Sequence, residues 1–428
     1  MRAAPGVVAQ KRKASGRGTG TPWMDSLCSG MLATGNFRIS VAIQRPARLN
    51  ALTGLRCFAA LNIIFFHFSN PEWFNFRFYI PIPFSPRPYS FEILLAPVVN
   101  AGYVSVSYFI LLSGFVLGYN YNARARAGEL DVVRFYKARI TRLYPIYFLS
   151  LLMAWWMIPQ EWAAHSHGMF WTGIVLTPLL LQGWIPSIAT FLNTPAWTMS
   201  AEAFYYVLFP WMAKWKKPER IKHHISRLAL IWILGMIPGA LYMIFSPDSI
   251  AHPDRWSYGP WLQALKYTPY AHLFSFIFGV LLAGLDEVVP RPGWLRFGLG
   301  IFGFAGIYGL LMLGPLVPYA IIHDGLLMPL FACIVLGLAG ENPLARVLGC
   351  RPLVFVGESS YCLYLLHFNL WQVVHHSGFL QVTGLIRFDP WISYILLVCM
   401  ALVALYFIEK PAQRTMRRWL NTEGAAKR

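Results

Sequence analysis

Acidic residues are scarce in this chain. Asp and Glu together occupy 18 of 428 positions, and all charged residues make up 13%, about half the share in an average soluble domain. Cysteine is equally uninformative as chemistry. The six present (Cys28, Cys57, Cys333, Cys350, Cys362 and Cys399) form no CxxC pair, and four lie in apolar runs. Neither a disulfide framework nor a zinc site is expected, and no metal or permanently bound cofactor. A serine-hydrolase elbow and a Gly-rich phosphate loop are also missing, which argues against those two enzyme classes. No internal repeat is visible, which counts against the transporter folds built from repeats.

What the chain has is apolar sequence. Hydrophobic residues make up 57% of it, arranged in runs of roughly 17–22, the length a helix needs to cross ~30 Å of hydrocarbon. The expected fold class is therefore an all-α integral membrane protein. Ten spans are expected, near 52–69, 97–119, 142–158, 195–213, 226–246, 268–285, 296–315, 319–339, 353–374 and 391–409. An eleventh apolar segment, 169–185, carries Pro178 and "GWIPS" and suits a short or re-entrant helix. The net charge of +18 sits at the N-terminus, in 121–142, in 214–227 and in the C-terminal tail. That is a positive-inside pattern, which places both termini in the cytoplasm, makes the lipid bilayer a partner and leaves no case for nucleic acid. Residues 1–49 carry eight Lys/Arg against Asp25 alone and lack the apolar core of a signal peptide. They are expected to be a disordered, basic cytoplasmic leader, with Met24 or Met31 as an alternative start. Residues 50–410 then form the membrane domain and 411–428 a basic cytoplasmic tail.

Three groups of ionisable residues stand out. In the first span Arg56 and His67 are eleven apart, hence on one helix face and ~16 Å apart along the axis. That places His67 near or beyond the bilayer centre, where an ionisable side chain is by default functional. Arg139 and Arg142, three apart, begin the third span. They are either positive-inside anchors or a guanidinium pair for phosphate groups. In "NTPAWTMSAEAFYYVLFP" Glu202 lies about two turns into a helix and shares a face with Thr198, Tyr205 and Tyr206. It is placed either to orient a histidine or to complete a structural ion pair. The aromatic loops at 70–95 and 247–267, expected outside, form an interfacial belt or a platform for sugar rings. Weaker signals are "SVSYFILLSGFVLGYNY" with Ser113, "SSYCLYLLHFNLW" with His367, and "FIEKP" with Glu409.

In this order the segments resemble the acyltransferase 3 family of bacterial membrane O-acyltransferases. Arg56 and His67 match the family's arginine–ten residues–histidine pattern. Ser113, Gly114 and Phe115 match its Leu-Ser-Gly-Phe segment, and Arg139 and Arg142, followed by Tyr144 and Pro145, match its paired arginines. Trp197, Ser200 and Glu202 match its Trp-Ser-Leu-Ser-Val-Glu segment, with Thr198, Ala201 and Ala203 as departures. "SSYCLYLLH" and "IEKP" match its late motifs. The resemblance, to the stand-alone type, implies an acyl-CoA co-substrate, most often acetyl-CoA, and an acceptor hydroxyl on a surface or exported glycan. It implies His67 and Glu202 as catalytic, Arg56, Arg139 and Arg142 as donor-binding, and Ser113, Trp197, Ser200, Tyr205, His367 and Glu409 as substrate or structural residues. A plasma (inner) membrane location follows. A transporter or flippase for a lipid-linked sugar is the competing class. It would move its substrate without consuming acyl-CoA.

Overall fold

The computed structural model describes residues 49–68, 79–80, 89–290, 292–313 and 316–425. The leader up to residue 48 and most of the 70–95 loop lie outside them. Helices dominate: α1 (Asn50–Phe68), α2 (Phe91–Asn100), α3 (Tyr103–Arg126), α4 (Val132–Met153), α5 (Ile158–Ala164), α6 (His167–Leu176), α7 (Trp197–Met212) and α8 (Ile221–Phe245). Then follow α9 (Pro260–Tyr267), α10 (Leu273–Asp286), α11 (Gly293–Met312), α12 (Met328–Leu338), α13 (Arg351–Glu358), α14 (Ser360–His376), α15 (Trp391–Ala404) and α16 (Lys410–Ala425). Among the described residues, strand is limited to the pairing of Tyr79–Ile80 with Tyr89–Ser90.

Five stretches are long and apolar enough to cross a membrane singly: α1, α3, α8, α11 and Trp391–Met416. A sixth is a pair, Tyr319–Leu326 and Met328–Leu338, bent by 41°. Ten spans and one short or re-entrant helix were expected, a count that these lengths do not confirm, and local chemistry shows why several segments fall short of a single upright crossing. Arg134, Lys137, Arg139 and Arg142 make α4 too polar to count. α7 and α10 have 16 and 14 residues, short of the ~20 that an upright crossing needs. Gly325, at φ 116°, breaks the 319–339 run, and Ser359 divides the 353–374 run into α13 and α14. The 169–185 segment is short, as Pro178 suggested: α6 has ten residues, or ~15 Å. The membrane assignment rests on surfaces as well as lengths. Leu230, Ile233, Leu241, Ile244 and Phe245 of α8 and Ile301 and Phe302 of α11 all face outward, an apolar surface that water would not tolerate.

Glycines set the closest helix crossings. A Cβ at Gly114 on α3 would stand 2.1 Å from the Phe276 carbonyl oxygen of α10, and one at Gly279 would stand 2.0 Å from that of Leu111. The Ser-Gly-Phe motif is therefore the contact that locks α3 onto α10, the close approach that small residues permit between membrane helices. Gly357 does the same for α13 against α1, with Thr53 O at 1.9 Å.

Ion pairs mark the two ends. Glu287, just past α10, meets Arg126 at 3.1 Å and Lys217 at 2.6 Å, so the basic loops after α3 and α7 share one end. At the other, Arg255 of the 247–267 loop donates to Phe66 O at 3.4 Å, next to the end of α1. Between helices, Arg296 and Asp286 form a fully buried pair at 2.8 Å. Asp286→Ala would leave a buried, uncompensated guanidinium, a cost of about 3–5 kcal/mol. A clear fall in the thermal unfolding midpoint in detergent is expected, and an unchanged midpoint would show that the pair does not hold the bundle.

Candidate active site: two chambers along one helix

α1 carries Arg56 and His67 on one face, and each lines a different cavity. The first cavity, of about 110 Å³, is lined by Arg56, Ser113, Arg139, Arg142, Glu202 and Tyr206, with Ser360, Tyr361 and Tyr364 from α14. Asp131 begins α4 by accepting from the Arg134 amide at 2.9 Å, and the 3-residue spacing then turns both Arg139 and Arg142 inward. The Arg139 guanidinium stands 5.5 Å from the Phe135 ring, 5.9 Å from Tyr121 and 5.8 Å from Tyr206. Its Nη2 donates to Tyr121 Oη at 3.4 Å, while its buried Nε has no partner within the protein. Glu202 Oε2 accepts from Tyr206 Oη at 2.8 Å. Three guanidinium groups thus face one carboxylate across a cavity whose buried Ser360 Oγ is likewise unpartnered. Such a cavity suits an anion, because guanidinium donors match phosphate oxygens in geometry and charge.

The second cavity is larger, about 390 Å³, and is lined by His67, Trp197, Arg255, Lys266, His272 and His323 among others. Aromatic rings from Tyr103, Trp256, Tyr258, Tyr319 and Phe368 complete it. Val106 and Tyr364 line both cavities and form the wall between them.

His67 lies in the last turn of α1 with its side chain exposed. Its ring stacks on His367, with centroids 5.3 Å apart at 29°, and packs edge-on against Phe368 at 4.8 Å. His367 is fully buried. Its Nδ1 faces the Tyr364 carbonyl and must therefore carry the proton, while Nε2 has no partner. The imidazole neighbour of His67 is His367. Glu202 stands instead with the arginines, in the other cavity.

The remaining candidates divide by contact. Ser113 lines the arginine chamber and Trp197 the histidine chamber. Ser200 Oγ accepts from Gly183 N at 3.1 Å and so fastens the turn after α6, and Tyr205 Oη donates to Pro269 O at 2.8 Å. Glu409 accepts from Cys362 Sγ at 3.0 Å and from Gln413 Nε2 at 2.9 Å, joining α14 to the start of α16. Tyr364, Arg255, Lys266, His272 and His323 were not singled out from the sequence. For His323 a signal existed: "HD" inside an apolar run is an intramembrane ionisable pair. For Arg255 and Lys266 it was two cations within an aromatic loop.

Tyr364 has a testable place in this arrangement. If the chambers serve the acyl transfer that the family resemblance implies, Tyr364→Ala opens the wall between them, and water reaching an activated acyl group hydrolyses it. Donor consumption without acceptor is expected to rise while acceptor modification falls. Parallel rises, or no change in either, would show that the side chain separates nothing.

The comparisons with known proteins fit this layout. A family model described as an acyltransferase domain matches residues 49–410, a range that holds both chambers. Acyltransferase MdmB of Streptomyces mycarofaciens is 28% identical over 345 residues, covering 77% of this chain and 81% of that protein. O-acetyltransferase OatA of Staphylococcus aureus is 23% identical over 407 residues, covering 89% of this chain and 60% of its own length. The chain therefore spans less than two thirds of that longer relative. No solved structure matches. With the matched range running from the start of α1 to the start of α16, the chain belongs to the acyltransferase 3 family of membrane acyltransferases.

Proposed function

We propose that this protein transfers an acyl group, acetyl in the first instance, from cytoplasmic acyl-CoA to a hydroxyl of an exported or cell-surface glycan. The observation that carries the reading is the pair of chambers threaded by α1, one rich in guanidinium groups and the other holding His67 among aromatic rings. Arg56, Arg139 and Arg142 hold phosphate oxygens of the co-substrate at the end where the basic loops gather. The thioester arm passes Tyr364 towards His67. There the acceptor oxygen attacks the thioester carbonyl, the C–O bond forms and the C–S bond breaks. His67 takes the hydroxyl proton as general base and returns it to the departing thiolate. An acyl-histidine relay uses the same residues: a His67 ring nitrogen attacks the thioester carbonyl, the C–S bond breaks and the thiolate leaves, and the acceptor oxygen then displaces the imidazole, its proton going to the released ring nitrogen. Glu202 balances the arginine charge, and His367 holds the His67 ring. The bilayer concerned is a bacterial plasma (inner) membrane with both termini in the cytoplasm. The narrow arginine chamber favours a short acyl group, and an acceptor hydroxyl on a small metabolite would use the same step.

The test is donor consumption by purified protein in lipid vesicles, with free thiol followed after addition of acetyl-CoA, with and without a surface-glycan extract. Thiol release that requires the glycan supports the reading. Absence of release with acetyl-CoA and with longer acyl-CoA donors would transfer support to a transporter of lipid-linked sugar.

A further inference from the structure

The histidine chamber is unevenly charged. Its described lining contains Arg255 and Lys266 with three histidines, and no carboxylate. Lys266 is only 6% exposed. Its Nζ donates to the Arg255 carbonyl at 3.3 Å and lies 3.5 Å from the centre of the Tyr258 ring. An ammonium has three donors, so donor capacity is left facing the cavity. The Arg255 guanidinium carbon lies over Phe66 and Trp256, 4.0 and 4.3 Å from their ring centres, and among the described residues its side chain donates to the Phe66 carbonyl. Among the described residues, both cations are held by rings and carbonyl groups, with the Asp254 charge acting on each from alongside.

The nearby carboxylate is engaged elsewhere. Asp254 Oδ1 accepts from the Trp256 and Ser257 amides at 2.7 and 2.6 Å, and the residue lines the adjoining cavity instead. The C-terminal end of α9 offers Lys266 some favourable dipole. That does not explain a second cation beside it, because like charges repel and burial penalises both. Burial first, and then Arg255, push the Lys266 ammonium down to about 8, with Asp254 acting the other way. An anion between the two would relieve that repulsion.

We propose that this chamber takes an acceptor bearing a carboxylate or phosphate close to the hydroxyl that is acylated, with Arg255 and Lys266 holding the anion. The geometry gives the acceptor a register. Arg255 binds the carbonyl of Phe66, one residue before His67, so an anion on Arg255 sets a neighbouring hydroxyl near the imidazole. Tyr103, Tyr258 and Tyr319 supply faces for a sugar ring. The proposal rests on the acyltransfer reading for the role of His67, but binding is measurable without turnover.

Calorimetric titration of the full chain in nanodiscs would compare two matched pairs of probes. One is a uronic-acid disaccharide against its carboxyl-reduced form; the other is a sugar phosphate against the free sugar. The anionic member of at least one pair should bind about ten- to a hundredfold more tightly, the factor that one or two charge-assisted hydrogen bonds supply. A preference in the first pair identifies a carboxylate on the glycan, and in the second a phosphate such as a lipid carrier bears. Lys266→Gln combined with Arg255→Gln should abolish the preference while the neutral probes bind as before. Lys266→Arg should retain it. Equal affinities in both pairs, binding of none of the four, or a preference that survives the double substitution would each overturn the proposal. Thiol release followed on the same samples reports separately on acyltransfer.

Discussion

His67→Ala is expected to lower acyl transfer by about 10²–10⁴-fold, the range in which a positioned general base contributes. Loss should be complete if the imidazole itself carries the acyl group. The side chain lies at the end of α1 facing the larger chamber, with the buried His367 ring behind it. Removing it leaves Arg56, Arg139 and Arg142 in place, so under the proposed function the apparent KM for acyl-CoA should change little while kcat collapses. Trapping of radiolabelled acyl groups on denatured wild-type protein separates the two routes: stable label on His67 marks the relay. Transfer by His67→Ala at the wild-type rate would rule out both.

Arg142→Ala should act in the opposite way. Its guanidinium lines the arginine chamber, the proposed donor site, where Glu202 is the acid present. A charge-assisted hydrogen bond is worth about 1.5–3 kcal/mol, so the KM for acyl-CoA is expected to rise about ten- to a hundredfold with a smaller fall in kcat. Arg142→Lys should recover only part of this, since a point charge does not reproduce the two-pronged geometry of guanidinium. Arg139 is seated against Phe135, Tyr121 and Tyr206, and its replacement would also disturb their packing. Arg142 is for that reason the cleaner probe. An unchanged KM in Arg142→Ala would show that the paired arginines only anchor the helix end.

Much of this was legible in the chain because membrane insertion and charge placement are local properties. Apolar runs announced the helices, and a three-residue spacing announced that Arg139 and Arg142 share a face. Span counting was less secure, since a break such as Gly325 and the shortness of α10 depend on neighbouring helices that satisfy the backbone. The grouping of Arg56 with Glu202, apart from His67, was not readable either. It follows from how α7 packs against α4 and α10 while α14 packs against α1 and α4. Glu202 was expected either beside an imidazole or in an ion pair, and pattern alone cannot say which of two polar groups an intramembrane carboxylate will meet. Arg255 and Lys266 were hidden for a related reason. They belong to a loop whose aromatic content announced an interface, while the burial of Lys266 arises only when α9 packs against α8 and the turn at Pro186–Ile188.

The most direct test of the central claim is a two-sided transfer. Protein is reconstituted in sealed vesicles with one orientation, radiolabelled acetyl-CoA on the side of the basic loops and glycan acceptor on the other. Label is expected in the glycan on the far side, dependent on His67 and on Arg142. Label that appears only when donor and acceptor share a side, or that persists in His67→Ala, would contradict it.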